Sequence, residues 1–274
     1  MIKTLGNNIV NAFTGGNPVK AIYAYGQLVW PTSSAPTEYY IKWTPSSAEG
    51  QFNIDGTTYD LSAFSGTYYW STGIINSRAF EYNDSIQSIE TNATSIGNWA
   101  FHICSLTQVS LLMCSYIGVY AFANCYNLSQ VSLPICGYIE AYAFESCSSL
   151  TKISLPMCSY IAAYAFYGCT SLSQVSLPMC EIIRVRAFES CSSLSQVSLP
   201  MCSYITSAVF RYCSSLSRIT IGYSSVCSLY STNVFDDTQI TSSTGSIYVP
   251  ASLVDAYKSA ENWSVYSNII YPIN

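Results

Sequence analysis

The sequence predicts a mainly β protein built as a solenoid, in which short turns of chain stack and form a parallel sheet. Three observations predict this fold: a 22-residue internal repeat, alternation of apolar and polar residues within it, and few charges. Half of the residues are hydrophobic and only 9% are charged, against about 25% charged in a typical soluble domain. The forty aromatic residues, twenty-four of them Tyr, argue against disorder, because disordered chains contain few aromatics.

A phenylalanine marks each repeat. The spacing is 21 or 22 residues through Phe101, Phe122, Phe144, Phe166, Phe188 and Phe210. Less regular turns run from Phe80 to Phe101 and from Phe210 to Phe235, so about seven turns are expected between Phe80 and Phe235. Burying four large apolar side chains contributes on the order of 8 kcal/mol, whereas ordering one turn costs at least ~22 kcal/mol in backbone entropy. One turn therefore cannot fold alone, and its neighbours must supply further burial and hydrogen bonds.

The strand of each turn is recognised by its alternation. In the turn that begins at Leu150, Ile153 and Leu155 are expected to point inward and Ser154 outward, because strand side chains alternate between faces. Pro156 lacks a backbone donor and ends the strand. Stacking of such turns predicts a parallel sheet with strands about 4.8 Å apart.

These residues carry a family resemblance. The pattern Leu150-x-x-Ile153-x-Leu155-x-x-Cys158 resembles the core of leucine-rich repeats. The following Ile161, Ala165-Phe166 and Cys169 resemble the BspA-like subtype of bacterial surface antigens, over roughly residues 79–235. The resemblance implies adhesion or other binding on an extracellular surface, and no shared catalytic residues.

The flanks differ from the repeats and divide the chain into four regions. Asp55-Gly56 predicts a tight hairpin, and both flanks are expected to cover the ends of the solenoid, where sheet edges are otherwise open. Tyr25–Pro31 and Val249–Ser252 resemble segments of gut-bacterial and bacteriophage structural proteins. The predicted regions are an N-terminal hairpin and linker (1–37), a small β capping unit (38–78), the solenoid (79–235) and a C-terminal cap (236–274).

The twelve cysteines follow the repeat. Ten of them, from Cys114 to Cys213, are spaced by 11 residues, half of the 22-residue repeat, so they form two columns. We interpret them as buried free thiols that pack as small hydrophobes. Disulfides between neighbouring turns are a weaker alternative, because parallel side chains align the sulfur atoms poorly. A zinc site is weaker still, because the spacing of zinc ligands is missing.

Several function classes are disfavoured. The net charge of −5 argues against nucleic acid, and no apolar stretch approaches the ~20 residues of a membrane span. His102 is the only histidine, and we interpret it as a variable surface position rather than a catalytic base. The cluster of Glu181, Arg184, Arg186 and Glu189 is interpreted as a solvated ion-pair group, with partner contact or catalysis as alternatives. The sequence therefore predicts no catalytic residue, no metal and no cofactor.

Outward-facing columns are the candidate contact residues. Tyr residues and strand residues recur at one position per turn, and a Tyr-rich, Ser-rich surface resembles binding loops in composition. For the Tyr columns, structural packing and ligand contact remain open alternatives. The candidate residues are Tyr116, Tyr138, Tyr160, Tyr204, Tyr120, Tyr142, Tyr164, Gln130, Lys152, Gln174, Gln196, Arg218, Arg184 and Arg186.

Two hypotheses follow for function. The first is a non-enzymatic binding or adhesion module that presents this surface to an extended protein or polysaccharide. The second is a structural or receptor-binding component of a bacteriophage virion or another assembly. Both place the protein outside the cell, at a cell surface or on a virion, although residues 1–8 do not form a signal peptide.

Overall fold

The computed structural model describes residues 73–84, 86–242 and 244–273 with their side chains, and before residue 73 only the backbone of ten strands. The predicted linker at 31–37 lies outside the described residues. The early strands are β1 (Thr4–Leu5), β2 (Asn8–Ile9), β3 (Phe13–Thr14), β4 (Asn17–Pro18), β5 (Ile22–Ala24), β6 (Gln27–Trp30), β7 (Tyr39–Pro45), β8 (Gln51–Ile54), β9 (Thr57–Asp60) and β10 (Gly66–Trp70).

From residue 74 onward, each turn contributes one short and one longer strand to two parallel rows, which confirms the predicted fold class. The short strands are β11 (Ile74–Ile75), β13 (Ser95–Ile96), β15 (Tyr116–Ile117), β17 (Tyr138–Ile139), β19 (Tyr160–Ile161), β21 (Ile182–Ile183), β23 (Tyr204–Ile205) and β25 (Ser228–Leu229). The longer strands are β12 (Ile86–Thr91), β14 (Gln108–Leu111), β16 (Gln130–Ser132), β18 (Lys152–Ser154), β20 (Gln174–Ser176), β22 (Gln196–Leu199), β24 (Arg218–Ile221), β26 (Ser246–Val249) and β27 (Ile270–Pro272).

The short strands form one continuous eight-stranded sheet, whereas pairing in the longer row is continuous in three stretches. These are β12–β14–β16, β18–β20 and β22–β24–β26–β27, all parallel. The longer row contains nine strands in the described part of the chain, so there are about nine turns rather than seven. The difference arises because β26 and β27 extend the sheet without carrying the phenylalanine motif.

Other chain segments cover the two ends of the longer row. At the first end, β7 pairs antiparallel with β12, and β10 pairs with β7. The strands β8 and β9 pair antiparallel around Asp55-Gly56, as predicted from that dipeptide. At the other end, 3-10 helices at Thr232–Phe235, Ala251–Leu253 and Ser264–Ile269 accompany the helix α1 (Val254–Ser259).

The core is a ladder of identical side chains. Neighbouring phenylalanine rings from Phe80 to Phe235 stack with centroids 4.8–5.9 Å apart and planes within 11° of parallel. Ile153 and Leu155 are buried and Ser154 is exposed, as the alternation predicts. At the C-terminal end, Trp263 and Tyr266 pack against Phe235 and close the ladder.

Besides its two strands, each turn has a third side, on which the phenylalanine lies. The phenylalanine is flanked there by two residues with left-handed backbone conformation. In the turn of Phe122 these are Tyr120 (φ 56°) and Asn124 (φ 59°). This conformation costs an L-residue roughly 1–2 kcal/mol. Hydrogen bonds to the next turn offset the cost, because the amides of Tyr120, Phe122 and Asn124 donate to carbonyls at distances of 2.7–3.1 Å.

Replacing Gly118 by Ala is expected to destabilise the protein by about 1–3 kcal/mol. A Cβ atom there would lie 2.7 Å from Asn98 Oδ1 and 2.8 Å from the carbonyl oxygen of Ile96. It would also disturb the hydrogen bond from the amide of Val119 to Asn98 Oδ1. Urea denaturation measures the change in the free energy of unfolding.

The matched control is Gly137→Ala, because a Cβ at Gly137 meets only the Ser115 carbonyl, at an ordinary 3.8 Å. We expect Gly137→Ala to leave stability unchanged or to raise it by less than ~1 kcal/mol. Equal stability of the two variants would contradict the close approach of neighbouring turns at Gly118.

Candidate functional site

The outward side chains of the longer strands β14, β16, β18, β20, β22 and β24 form a continuous surface, which we call the strand face. One file of this face has six exposed members, Gln108, Gln130, Lys152, Gln174, Gln196 and Arg218. A second file lies two residues further along each strand, at Ser110, Ser132, Ser154, Ser176, Ser198 and Thr220. Amide and hydroxyl groups therefore recur once per turn, with the apolar residues between them pointing inward.

Charge on the strand face has one sign. Lys152 and Arg218 are its two charged residues, and no carboxylate lies on β14 to β24. Glu90 lies next to this face, on the neighbouring strand β12, where it pairs with Ser110. Other acidic residues of the described solenoid lie on other parts of the turns, for example Glu145 and Glu189 beside the phenylalanine ladder. The strand face of this acidic protein is thus locally basic.

The strand face ends in an aromatic platform that sequence reasoning missed. Tyr248 on β26 pairs with Thr220, and Tyr271 on β27 pairs with Tyr248. The guanidinium of Arg218 lies 4.1 Å from the ring centroid of Tyr248, and the two Tyr rings are 6.0 Å apart. Tyr271 is exposed. The only sequence signal was the apolar alternation of Ile247 and Val249, which places Tyr248 on the outer side.

Three of the candidate tyrosines lie in a continuous aromatic stack. Trp99, Tyr120, Tyr142 and Tyr164 stack with centroids 4.5–5.4 Å apart and planes within 11° of parallel. Arg78 covers the free face of Trp99 and Arg186 that of Tyr164, at 4.8 and 5.6 Å. Neighbouring rings and guanidinium groups therefore cover the ring faces, which favours structural packing for Tyr120, Tyr142 and Tyr164. Trp99 and Arg78 were not predicted as members, although they precede Tyr120 by one and two repeats.

The other candidate tyrosines begin the short strands, and we call them the Tyr row: Tyr116, Tyr138, Tyr160 and Tyr204. Tyr116 and Tyr138 are exposed and the other two are half-buried. Their packing is loose, since Tyr138 and Tyr160 lie 5.7 Å apart at an angle of 31°. Burial, with a contribution from Glu140, raises the pKa of Tyr116.

The predicted ion-pair group is only partly formed. Arg186 Nε lies 3.2 Å from Glu189 Oε2, but Glu181 and Arg184 are exposed and form no ion pair within the residues described. Glu189 is buried rather than solvated, because its position next to Phe188 is enclosed by neighbouring turns. The structure therefore does not bring these four side chains together as one cluster.

His102 is not a surface residue as predicted. Its side chain is only 15% exposed and Nδ1 lies 3.2 Å from Glu81 Oε1, while Arg78 pairs with the other oxygen of Glu81. Asn124 Nδ2 lies 3.4 Å from His102 Nε2. Both ring nitrogens are therefore occupied, because the histidine lies between the side chains of two neighbouring turns. This arrangement leaves no ring nitrogen directed at solvent for base catalysis.

All twelve cysteines are free and buried, as predicted. In the column beside the phenylalanines, each Sγ donates to a phenylalanine carbonyl of the preceding turn, at 2.7–3.2 Å. In the other column, the thiols from Cys114 to Cys202 donate to the carbonyl two residues later, at 3.1–3.7 Å. Burial raises the pKa of Cys114 and Cys158 to about 11, and that of Cys125 and Cys169 to about 12. These thiols are poor nucleophiles, because the thiolate is the reactive form.

Two other structural features are absent from the part of the chain that the structure describes. No group of three or more His, Cys, Asp or Glu side chains is arranged to hold a metal ion there. No helix in the same residues is long and apolar enough to cross a membrane.

Comparison with known families gives a match to the BspA type leucine rich repeat region, in six copies over residues 64–156 and 137–260. A comparison with curated protein sequences gives no significant match.

Solved structures with a similar fold include three bacterial leucine-rich-repeat proteins. A cell surface protein of Faecalibacterium prausnitzii is 21% identical with a TM-score of 0.42, over 64% of this chain and 54% of that protein. A Bacteroides ovatus protein is 20% identical with a TM-score of 0.30, over 73% of this chain and 75% of its own. A T. pallidum protein is 25% identical with a TM-score of 0.30, over 54% of this chain and 51% of its own.

Proposed function

Because this chain belongs to the BspA-type leucine-rich-repeat family, we propose that it is a non-enzymatic binding module whose strand face holds an extended acidic polysaccharide. The observation that carries the proposal is the run of exposed amide and hydroxyl side chains that ends at Arg218, Tyr248 and Tyr271. An extracellular or cell-surface location is part of the proposal and is supported by family membership.

The spacing of the strand face suits a polymer of sugars. Successive turns repeat every ~4.8 Å, which is about the length of one pyranose residue in an extended chain. Each sugar along the solenoid axis would therefore meet a new amide and a new hydroxyl, for example those of Gln174 and Ser176. The face lacks the exposed apolar centre that protein interfaces favour, so hydroxyl-rich polymers are better partners than proteins.

The charges favour an acidic polymer. Lys152 and Arg218 lie three turns apart, or ~14 Å, and the longer strands from β18 to β24 carry no carboxylate that would oppose a negative ligand between them. Hydrogen bonds between a guanidinium and a carboxylate are stronger than neutral ones. Arg218 is held in place by its contact with Tyr248, so it can bind a uronic acid carboxylate at a small cost in side-chain entropy.

The aromatic platform supplies apolar contact at one end of the surface. The exposed ring of Tyr271 offers an apolar face and a polar hydroxyl. The apolar C–H side of a sugar ring can pack on such a face while its hydroxyls bind neighbouring polar groups. In contrast, the rings of Tyr120, Tyr142 and Tyr164 already cover one another.

Polygalacturonate is expected to bind at least about tenfold more tightly than its fully methyl-esterified form, because only the free acid pairs with Lys152 and Arg218. Isothermal titration calorimetry at low and high salt measures this difference, which salt should reduce. Arg218→Gln and Tyr271→Ala are each expected to weaken binding about tenfold, equivalent to ~1.4 kcal/mol.

Tyr138→Ala serves as the control variant, because Tyr138 is exposed on a short strand and not on the strand face. Absence of binding by both polymers would contradict the proposal. Equal affinities for the acid and the ester would contradict a preference for acidic polysaccharides. An effect of Tyr138→Ala alone would place the binding site at the Tyr row instead of the strand face.

The virion hypothesis draws on Tyr25–Pro31 and Val249–Ser252, and no observation on the described residues favours it over binding.

A further inference from the structure

An exposed apolar stripe runs along the part of the solenoid where the chain leaves the longer strands. It consists of the residue before the cysteine in five successive turns, together with one adjacent leucine. We call it the Met stripe: Leu112, Met113, Ile135, Met157, Met179 and Met201.

The Met stripe is too regular to be a scatter of surface residues. The five residues that precede a cysteine are 38–57% exposed, and they contain every methionine of the chain except Met1. In the described residues, six of the ten exposed aliphatic side chains lie in this stripe. Contiguous exposed apolar surface of this kind marks an interaction site, and flexible methionines adapt well to a partner.

The spacing of the side chains in the Met stripe indicates which kind of partner matches it. Its side chains repeat every ~4.8 Å, the distance between neighbouring strands. An extended peptide presents same-side residues every ~6.6 Å, and a helix advances ~5.4 Å per turn, so both lose register within a few turns. A second solenoid with the same repeat stays in register along the whole stripe. We propose that the Met stripe is a self-association surface, where two copies of this chain pair side by side.

The charges select the direction of pairing. No residue of the stripe is charged, and the nearest carboxylate along the chain is the exposed Glu181, two residues after Met179. Parallel pairing about a two-fold axis would place Glu181 opposite its own copy, which is unfavourable. Antiparallel pairing places Met179 opposite Ile135, so Glu181 faces the neutral region around Gly137. Met157 then lies on the two-fold axis and meets its own copy.

The area limits the strength of this dimer. Five turns span ~24 Å, and a strip of one to two side chains in width buries about 300–400 Å² per copy, below the ~800 Å² of a standard interface. The dimer is therefore expected to be weak and concentration-dependent. This inference does not rest on the proposed polysaccharide binding, which uses the residues of the strand face.

Analytical ultracentrifugation of the full chain, from about 1 to 500 µM, tests the proposal. We expect a monomer at the low end and an increasing fraction of dimer towards the high end, because so small an interface gives only weak association. Met157→Lys and Met157→Glu are each expected to weaken the dimer at least about tenfold, because like charges meet on the axis. An equimolar mixture of the two variants should restore association through a Lys–Glu pair.

Gln174→Lys is the matched control, because it adds the same charge at an exposed position of the strand face. It should leave the dimer unchanged, and circular dichroism checks that all variants fold. A monomer at 500 µM, a dimer insensitive to Met157→Lys, or no restoration in the folded mixture would each overturn the proposal.

Discussion

Raising the pH from 8 to about 10 is expected to unfold this protein cooperatively, because its buried thiols must stay protonated in the fold. The pKa values of ten cysteines lie above the ordinary 9.0, because burial desolvates nine of them and a hydrogen bond with Cys202, together with burial, acts on Cys227. For Cys114 and Cys158 the folded value is about 11, and for Cys125 and Cys169 about 12. The unfolded chain therefore loses these protons first as the pH rises.

The direction follows from the number of bound protons. Above pH 9 the folded state binds more protons than the unfolded state, so the free energy of unfolding falls with increasing pH. The contribution of each thiol is complete below pH 9 and is lost as the pH rises towards the folded pKa. At pH 10 each thiol with a raised pKa lowers the free energy of unfolding by about 1.4 kcal/mol. Together, the ten thiols lower the free energy of unfolding by on the order of 14 kcal/mol. This loss is comparable with the 5–15 kcal/mol by which a typical domain is stable.

Urea denaturation followed by circular dichroism, at pH values from 7 to 10.5 with reductant present, measures this loss. Cys125→Ala is the informative variant, because removing one thiol should reduce the slope of stability against pH by about 1.4 kcal/mol per unit near pH 10. Stability that stays constant from pH 8 to 10 would contradict the prediction. Denatured, unreduced protein should also titrate with twelve free sulfhydryls, and fewer than ten would contradict the free-thiol assignment.

Truncating Phe144 to Ala is expected to cost about 3–5 kcal/mol of stability. The ring is fully buried and stacks on Phe122 at 5.2 Å and on Phe166 at 5.3 Å. Its removal leaves a cavity between two turns that cannot move closer, because the strand pairing on the other sides holds their spacing. Equilibrium denaturation in urea gives the change in the free energy of unfolding.

Phe144→Leu is the matched control, because it keeps most of the apolar volume and removes the ring stacking. We expect it to cost roughly 1–2 kcal/mol, in line with conservative core substitutions and the loss of aromatic pairing. A cost below ~1 kcal/mol for Phe144→Ala would show that the ladder does not hold the turns together.

The sequence predicted the side-chain pattern of a turn because each turn is local in the chain. Ile153 and Leu155 face inward since strand residues alternate, and the same rule places Ser154 and Lys152 outside. The free, buried state of the cysteines followed from their spacing within the repeat. The charge deficit has the same origin, because like charges one strand apart repel each other.

The number of turns could not be counted from the repeat. Ile219, Ile247 and Ile270 are neighbours in the sheet, although 28 and 23 residues of chain separate them. A search for a 22-residue period misses such strands, because only pairing in space makes them part of the row. The aromatic platform of Tyr248 and Tyr271 was missed for the same reason.

Sequence by itself determined the fold class, the inward and outward faces and the free thiols, since these depend on residues close together in one turn. Only the tertiary structure decided that Trp99, Tyr120, Tyr142 and Tyr164 stack between two arginines. It also decided that His102 and Glu189 are enclosed. Contacts between turns join residues about 22 positions apart, and their geometry depends on how successive turns align, which no local pattern encodes.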